Sequence, residues 1–297
     1  MTKNVISLFD GISCARLALD KAGIEFDDYY ASEIDKYCLK VTEKRFPDNI
    51  NLGDITKLTE KDLPKDVFLL IGGSPCQSLS IAKRQKESGL EKGKSTLFWE
   101  YIRILNLVKP KYFILENVAS MKKTDRDKIS AIVGVEPIKI NSALLSGQQR
   151  KRLYWSNILG IEQPEDKKIY LKDILEHGYT EKDKSYCLTA TYSRACLKDY
   201  LEFKQRQLIW NKPIEEVFFN SLSDKNKMKE YARKLTPLEC ERLQTIPDNF
   251  TDCGISDTQR YKMLGNGFTV DVIAHILNYL KEMCKPTDLL PKSTDKD

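Results

Sequence analysis

Short apolar runs separated by segments of helical period dominate the first half of the chain. Val5-Ile6-Ser7-Leu8-Phe9, Tyr29-Tyr30-Ala31-Ser32, Val67 to Ile71 and Tyr112 to Leu115 read as strands, and Asn51-Leu52-Gly53-Asp54-Ile55 supplies a short third strand and its exit. Ala15-Arg16-Leu17-Ala18-Leu19 carries a helical pattern that ends at Gly23. This alternation predicts an α/β fold, a mostly parallel, doubly wound sheet with crossover helices. The ends of parallel strands lie along one edge. Gly11, Glu33, Asp54, Cys76 and Glu116 each follow the last apolar residue of a different strand, so they converge on one crevice.

The texture changes from residue 160 to 233, where Tyr186, Tyr192, Phe203, Trp210 and Phe218-Phe219 are scattered among Lys and Arg. That stretch reads as a small inserted domain with its own core. Regularity returns at Thr236-Pro237-Leu238-Glu239: Thr236 caps a helix, Pro237 takes its first position and Glu239 reaches back. A last helix runs through Val270 to Leu280. The chain thus divides into 1–159 and 234–284, two parts of one larger domain, an insert at 160–233, and a polar, flexible tail at 285–297.

With 297 residues, 41% of them hydrophobic, the chain can bury one substantial core beside a smaller unit. No apolar run approaches the roughly twenty residues that span a bilayer, which predicts a soluble, cytoplasmic protein without a targeting segment. Eight cysteines are dispersed with no C-x-x-C pair, so neither a zinc site nor a disulfide framework is expected. Two histidines, His177 and His275, give little material for a His triad or a multi-His metal site. The net charge of +5 is mild, but Lys83, Arg84, Lys86, Lys92 and Lys94 gather with Gly89 and Gly93 in a basic loop just after Cys76.

Cys76 stands at the end of a buried strand in Gly72-Gly73-Ser74-Pro75-Cys76-Gln77, where Pro75 restricts its neighbour; this is a nucleophile position, although a small packed thiol would look the same in isolation. Gly11 after the first strand with Glu33 about twenty residues on is an adenosine-binding arrangement. Ser13 and Cys14 replace the further glycines that a diphosphate needs, which argues against NAD and leaves room for S-adenosylmethionine, with Asp54 facing the adenine amino group. A thiolate and a carboxyl together suit methylation of an unactivated ring carbon: Cys76 adds to carbon 6 of cytosine while Glu116 serves ring nitrogen 3. Arg150 and Arg152, two apart in an extended stretch, share a face and suit a phosphate or the base's exocyclic oxygen.

Phe9-Asp10-Gly11, Ser74-Pro75-Cys76-Gln77, Glu116-Asn117-Val118, Gln148-x-Arg150-x-Arg152 and Gly265-Asn266-Gly267-Phe268-Thr269-Val270, in this order, resemble the motif set of the DNA (cytosine-5) methyltransferases. The resemblance covers residues 4 to 158 and 234 to 281 and is closest to the compact bacterial and phage enzymes of the branch that includes the animal de novo enzymes. It implies a Rossmann-like S-adenosylmethionine-dependent methyltransferase fold, Cys76, Glu116, Arg150 and Arg152 as catalytic residues, and no metal. It implies that Phe9, Gly11, Glu33, Ile34, Asp54, Pro75, Leu97 and Asn266 line the S-adenosylmethionine pocket, and that Gln77, Ser80, Lys83, Arg84 and Gln148 lie near DNA. Residues 160–233 would then recognise the target in double-stranded DNA, and the loop from Gln77 to Ser95 would close over a flipped cytosine. A monomer is implied, with a cognate restriction endonuclease as a possible companion. Ser13 and Gly267 depart from the family pattern, one replacing a glycine and the other a small hydroxyl residue. Two rivals follow from the same residues: a tRNA cytosine-5 methyltransferase, whose Cys-Phe-Thr element is similar to Cys187-Leu188-Thr189, and a catalytically inactive DNA-binding homologue.

Overall fold

The structure, a computed structural model, describes residues 2–74, 97–217 and 228–284. Seven strands, β1 (Asn4–Leu8), β2 (Tyr29–Ser32), β3 (Ile50–Asn51), β4 (Val67–Gly73), β5 (Tyr112–Val118), β6 (Ile138–Asn141) and β7 (Lys151–Ser156), form one sheet in the order 3-2-1-4-5-7-6. Strands β1 to β5 are mutually parallel, and β7 runs antiparallel to both β5 and β6. Chain direction across the sheet reverses between β1 and β4, which opens a crevice at their carboxyl ends.

Two strands depart from their sequence pattern. The third shrinks to Ile50–Asn51, because Asp54 caps a short 3-10 turn at Ile55–Lys57 instead of extending it. The fifth runs past Leu115 to Val118, since β7 pairs with Glu116, Asn117 and Val118 and supplies their backbone partners. Glu116 therefore stands inside a strand rather than beyond its end.

Side chains alternate across the sheet as the two-residue period of a strand requires. Leu69 and Ile71 join the apolar cluster containing α1 (Cys14–Ala22) and α2 (Lys36–Arg45), while Leu70 joins the other face with α3 (Leu97–Val108) and α4 (Lys123–Val133). Both faces are covered, which is why β1 and β4 read as near-continuous apolar runs.

Beyond β7 lie α5 (Leu171–Ile174), α6 (Leu197–Leu201), a two-stranded ribbon of β8 (Leu208–Trp210) and β9 (Ala232–Lys234), and α7 (Met228–Tyr231). Buried Tyr192, Tyr200, Ile209 and Trp210 belong to the same continuous cluster as α1, so this stretch shares the main core instead of owning a separate one. Three helices close the described residues: α8 (Pro237–Leu243), α9 (Asp257–Asn266) and α10 (Val270–Met283). The capping box at α8 forms as its sequence dictates, Thr236 accepting from Glu239 N and Glu239 accepting from Thr236 N.

The connection out of β7 is laid along α10. Leu159 N donates to Met283 Sδ, the Glu162 carbonyl meets His275 Nε2, and Lys167 pairs with Asp271, so the connection follows the helix backwards by about 18 Å at 1.5 Å per residue. This brings the chain back to the edge from which β7 began.

Where it arrives, Thr189 and Ala190 lie directly on Gly265 of α9; a β-carbon at Gly265 would overlap the Thr189 carbonyl and the Ala190 nitrogen. Glycine to alanine inside a helix ordinarily stabilises by about 1 kcal/mol. Here the backbone overlap cannot be relieved by a rotamer change, and overpacking of this kind costs about 1–3 kcal/mol. Gly265→Ala is therefore expected to lower the urea midpoint, and an unchanged or raised midpoint would show that the two segments separate freely.

Candidate active site

The turn after β1 is wound tightly. Phe9, Gly11 and Ser13 take positive φ of 56°, 62° and 58°. For Phe9 and Ser13 that conformation costs about 1–2 kcal/mol each, so something must hold it. Asp10, buried beneath the turn, accepts from Ser13 Oγ at 2.5 Å and from Tyr29 OH at 2.7 Å, and Asn49 donates to Ser13 Oγ at 2.9 Å. Hydrogen bonding to its hydroxyl thus lets Ser13 occupy a glycine-like position. Burial pushes the Asp10 carboxyl above its usual range despite these donors.

Glu33, at the end of β2, faces this turn. Its Oε2 accepts from Gly11 N at 2.8 Å and its Oε1 from both Ile34 N and Asp35 N at 2.7 Å. A carboxylate offers roughly four acceptor positions, so one remains, on Oε2. Burial raises the Glu33 pKa against the pull of these backbone donors. Ile34 next to it is 69% exposed, an apolar surface with no covering side chain. Asp54 takes both Thr56 donors on Oδ1, which holds its carboxyl below the usual range and leaves Oδ2 open. Asn266 is exposed at the end of α9, and Leu97 is half-buried at the start of α3.

Glu116 lies beside the end of β4. It is in register with Gly73, and a β-carbon on Gly73 would come within 2.9 Å of Glu116 Oε2 and of the Phe268 ring. Its other oxygen is held by Arg152, whose Nε lies 2.7 Å from Oε1. Glu116 faces Tyr154 across the β5–β7 pair, so Arg152 reaches it diagonally, two residues along the same face.

Arg150 does something else. It is 4% exposed, and its guanidinium donates to the carbonyls of Leu188 (2.9 Å), Gly265 (3.3 Å) and Gly267 (2.9 Å). Gln148 is fully buried: its amide nitrogen donates to Leu243 O and Gln244 Oε1, and its oxygen accepts from Leu188 N. The structure thus places Gln148 in the interior, as a brace between the insert and α8, instead of on a DNA-facing surface. Cys187 sits between the two arginines, with Sγ 3.5 Å from Arg150 Nη1 and 4.0 Å from Arg152 Nη2. Burial would push its thiol up, yet the two guanidiniums hold it below its ordinary value.

The structure brings Phe9, Gly11, Glu33, Ile34 and Asp54 to the carboxyl ends of β1 to β3, with Glu116 and Arg152 at the neighbouring end of β5 and β7. Pro75, Cys76, Gln77, Ser80, Lys83 and Arg84 lie outside the described residues, as does the 285–297 tail. Sequence reasoning overlooked Asp10 as the support of the turn, although it stands in the quoted Phe9-Asp10-Gly11 motif, and gave no role to Gln244, which donates to the Leu264 and Gly267 carbonyls. Nothing in the local sequence marks Gln244 as a hub.

The sequence model for "C-5 cytosine-specific DNA methylase" matches residues 3–135 and 199–282. This chain belongs to that family. The Type II methyltransferase M1.ScrFI of Lactococcus lactis subsp. cremoris is 31% identical over 94% of this chain and 78% of the relative. The Type II methyltransferase M.NlaX of Neisseria lactamica is likewise 31% identical, over 93% of this chain and 96% of its own. The methyltransferase EhMeth of Entamoeba histolytica superposes with a TM-score of 0.76 at 18% identity (96% of this chain, 100% of that one), and the Dnmt2 methyltransferase of S. pombe with 0.73 at 18% (95% and 99%), which shows a shared methyltransferase fold. As a C-5 cytosine-specific DNA methylase the chain is an enzyme that methylates carbon 5 of cytosine in DNA, and the reaction requires a methyl donor. Among the described residues no helix is long and apolar enough to cross a membrane.

The two motif arginines of this methylase are expected to separate experimentally. Removing a buried charge that satisfies three carbonyls costs about 3–5 kcal/mol, so Arg150→Gln should unfold at much lower urea. The Arg152 ion pair with Glu116, which stands beside an exposed bond to the Lys151 carbonyl and a longer contact with Cys187, is worth about 1.5–3 kcal/mol, so Arg152→Gln should stay folded and lose activity. Equal loss of stability in the two variants would contradict this division of roles.

Proposed function

We propose that the enzyme methylates a flipped-out cytosine within a specific double-stranded DNA sequence, with S-adenosylmethionine as donor and Cys76 as nucleophile. The observation that carries this reading is Glu116, held by Arg152 through one oxygen while the other faces the end of β4. Cys76 follows Ser74 by two residues in the sequence, and covalent geometry limits two residues to about 7 Å of chain. A thiol on so short a tether and the Glu116 carboxyl suit opposite sides of one pyrimidine.

The residues present fit S-adenosylmethionine. Gly11 N is engaged by Glu33 and Ser13 N by Asp10 O, and the Glu33 carboxylate stands beside them. A diphosphate would meet the Glu33 negative charge there, at a turn whose Gly11 and Ser13 amides are already engaged. The open acceptor on Glu33 suits a ribose hydroxyl, exposed Ile34 suits the face of an adenine, and Asp54 Oδ2 suits its amino group. Bound there, S-adenosylmethionine supplies the methyl group as an electrophilic carbon on a sulfonium.

The protein's own contribution is to make carbon 5 of cytosine nucleophilic. The Cys76 thiolate bonds to carbon 6 while the protonated Glu116 carboxyl donates its proton to ring nitrogen 3, where the displaced electron pair accumulates. After methylation, the carbon 5 proton leaves to a base and the carbon 6–sulfur bond breaks, which returns the thiolate and the aromatic ring. Arg152 positions Glu116 throughout. Residues 160–233 serve target recognition, and the enzyme works as a monomer, with a restriction endonuclease of matching specificity as its companion.

Duplex DNA carrying 5-fluorocytosine, which has no carbon 5 proton to lose, is expected to trap a covalent adduct that survives denaturation, and Cys76→Ser should abolish it. Absence of adduct with any duplex, or equal labelling of tRNA by labelled cofactor, would overturn the reading. Glu116→Gln should lower kcat by about 100- to 10,000-fold. Glu33→Ala should raise the Kd for S-adenosylmethionine by about tenfold or more, with Kd measured by calorimetry; unchanged affinity would remove Glu33 from the cofactor site.

A further inference from the structure

The segment from Cys187 to Ala195 is fastened along its length. Leu188 is gripped by Arg150 and Gln148, Thr189 and Ala190 lie on Gly265, and the Ser193 carbonyl accepts from Lys234. Buried Tyr192 donates to Gln207 O, accepts from Leu235 N at 2.8 Å, and packs edge-on against Tyr261 at 5.3 Å. Its exposed residues are Thr191 and Arg194. Thr191 Oγ1 is held by Arg206 at 2.8 Å, and Arg206 is itself neutralised by Asp199 at 2.7 Å. The Arg194 guanidinium, carried on the 3-10 turn Tyr192–Arg194, has no acceptor among the described residues.

We propose that Arg194 is a specificity-determining residue that reads a guanine close to the target cytosine in the major groove. The inference rests on the DNA methyltransferase reading and names one of its recognition contacts. Six residues separate Arg194 from Leu188, which caps their distance at about 20 Å, or about six base-pair steps of 3.4 Å. Arg194 therefore falls within the footprint of a short recognition sequence around the edge held by Arg150 and Arg152. A guanidinium is a planar fork that matches the O6 and N7 acceptors of guanine, and it discriminates best from a backbone that does not move. Phosphate can be held by any mobile cation; a rigidly mounted, uncompensated arginine beside the catalytic edge is better matched to a base.

The test methylates a pool of randomised duplexes with the full chain and reads both total methyl incorporation and, by bisulfite sequencing, the sequences around each methylated cytosine. The wild-type enzyme is expected to require guanine at one nearby position, and Arg194→Ala to relax that position alone, its preference for guanine falling by about 5- to 150-fold. Arg194→Lys, which keeps the charge and loses the fork, should relax the same position. Urea midpoints of both variants should match the wild type, because Arg194 is exposed and unpartnered; a variant that fails to fold is replaced by Arg194→Gln. An unchanged sequence pattern overturns the proposal. So does a uniform loss across all sequences with a salt dependence shallower by about one ion, which marks a phosphate contact. If the wild-type enzyme modifies no DNA at all, the functional reading itself falls, an outcome distinct from both.

Discussion

One buried guanidinium ties this enzyme together. Arg150 is charged and nearly inaccessible, so its burial is tolerable only because three carbonyls and the Cys187 sulfur surround it. Those acceptors come from Cys187 and Leu188, in the stretch beyond β7, and from Gly265 and Gly267 where α9 ends. A single side chain just before β7 thereby fixes the distance between the turn at Gly265 to Gly267 and the segment at Leu188. Arg152, two residues on, inherits its position from the same strand and passes it to Glu116.

The neighbouring amides extend this constraint. Gln148 and Gln244 share a bond at 3.0 Å, and Gln244 also accepts from Thr269, which in turn accepts from Ser142 at 3.0 Å. Fully satisfied buried networks of this kind specify a unique arrangement more than they add stability. They join the edge of the sheet, α8 and the first turn of α10 into one unit. The turn after β1 follows the same logic on a smaller scale: the strain of Phe9 and Ser13 is carried by Asp10, Tyr29 and Asn49.

Much of the fold was legible because its signals are local. The runs at Val5, Tyr29 and Val67 and the capping box at Thr236 are each readable within a few residues, and each appears where its pattern placed it. The end of β5 falls three residues beyond its sequence pattern, at Val118 instead of Leu115, because an acid and an amide interrupt the apolar run, while their pairing partner lies nearly forty residues away on β7. The roles of Gln148 and Arg150 were unreadable for a related reason. A Gln-x-Arg-x-Arg stretch looks like an exposed basic strand until one knows that Leu188, Leu243 and Gly265 arrive around it from distant parts of the chain. The merged core of the insert was likewise invisible, since the scattered tyrosines and Trp210 reveal their companions only after packing.

The reversed direction of β7 has a consequence for how such a protein can diversify. Because this strand starts at the edge where β1 to β5 end and exits on the far side, the chain makes a return journey along α10 before it reaches that edge again. The far-side stretch near Leu159 to Asp166 is exposed over most of its length and touches the helix at few points. Loops of different length can be accommodated there without shifting the anchored arrival at Cys187. Growth of the inserted stretch is in this way mechanically uncoupled from the sheet edge that carries Glu116 and Arg152.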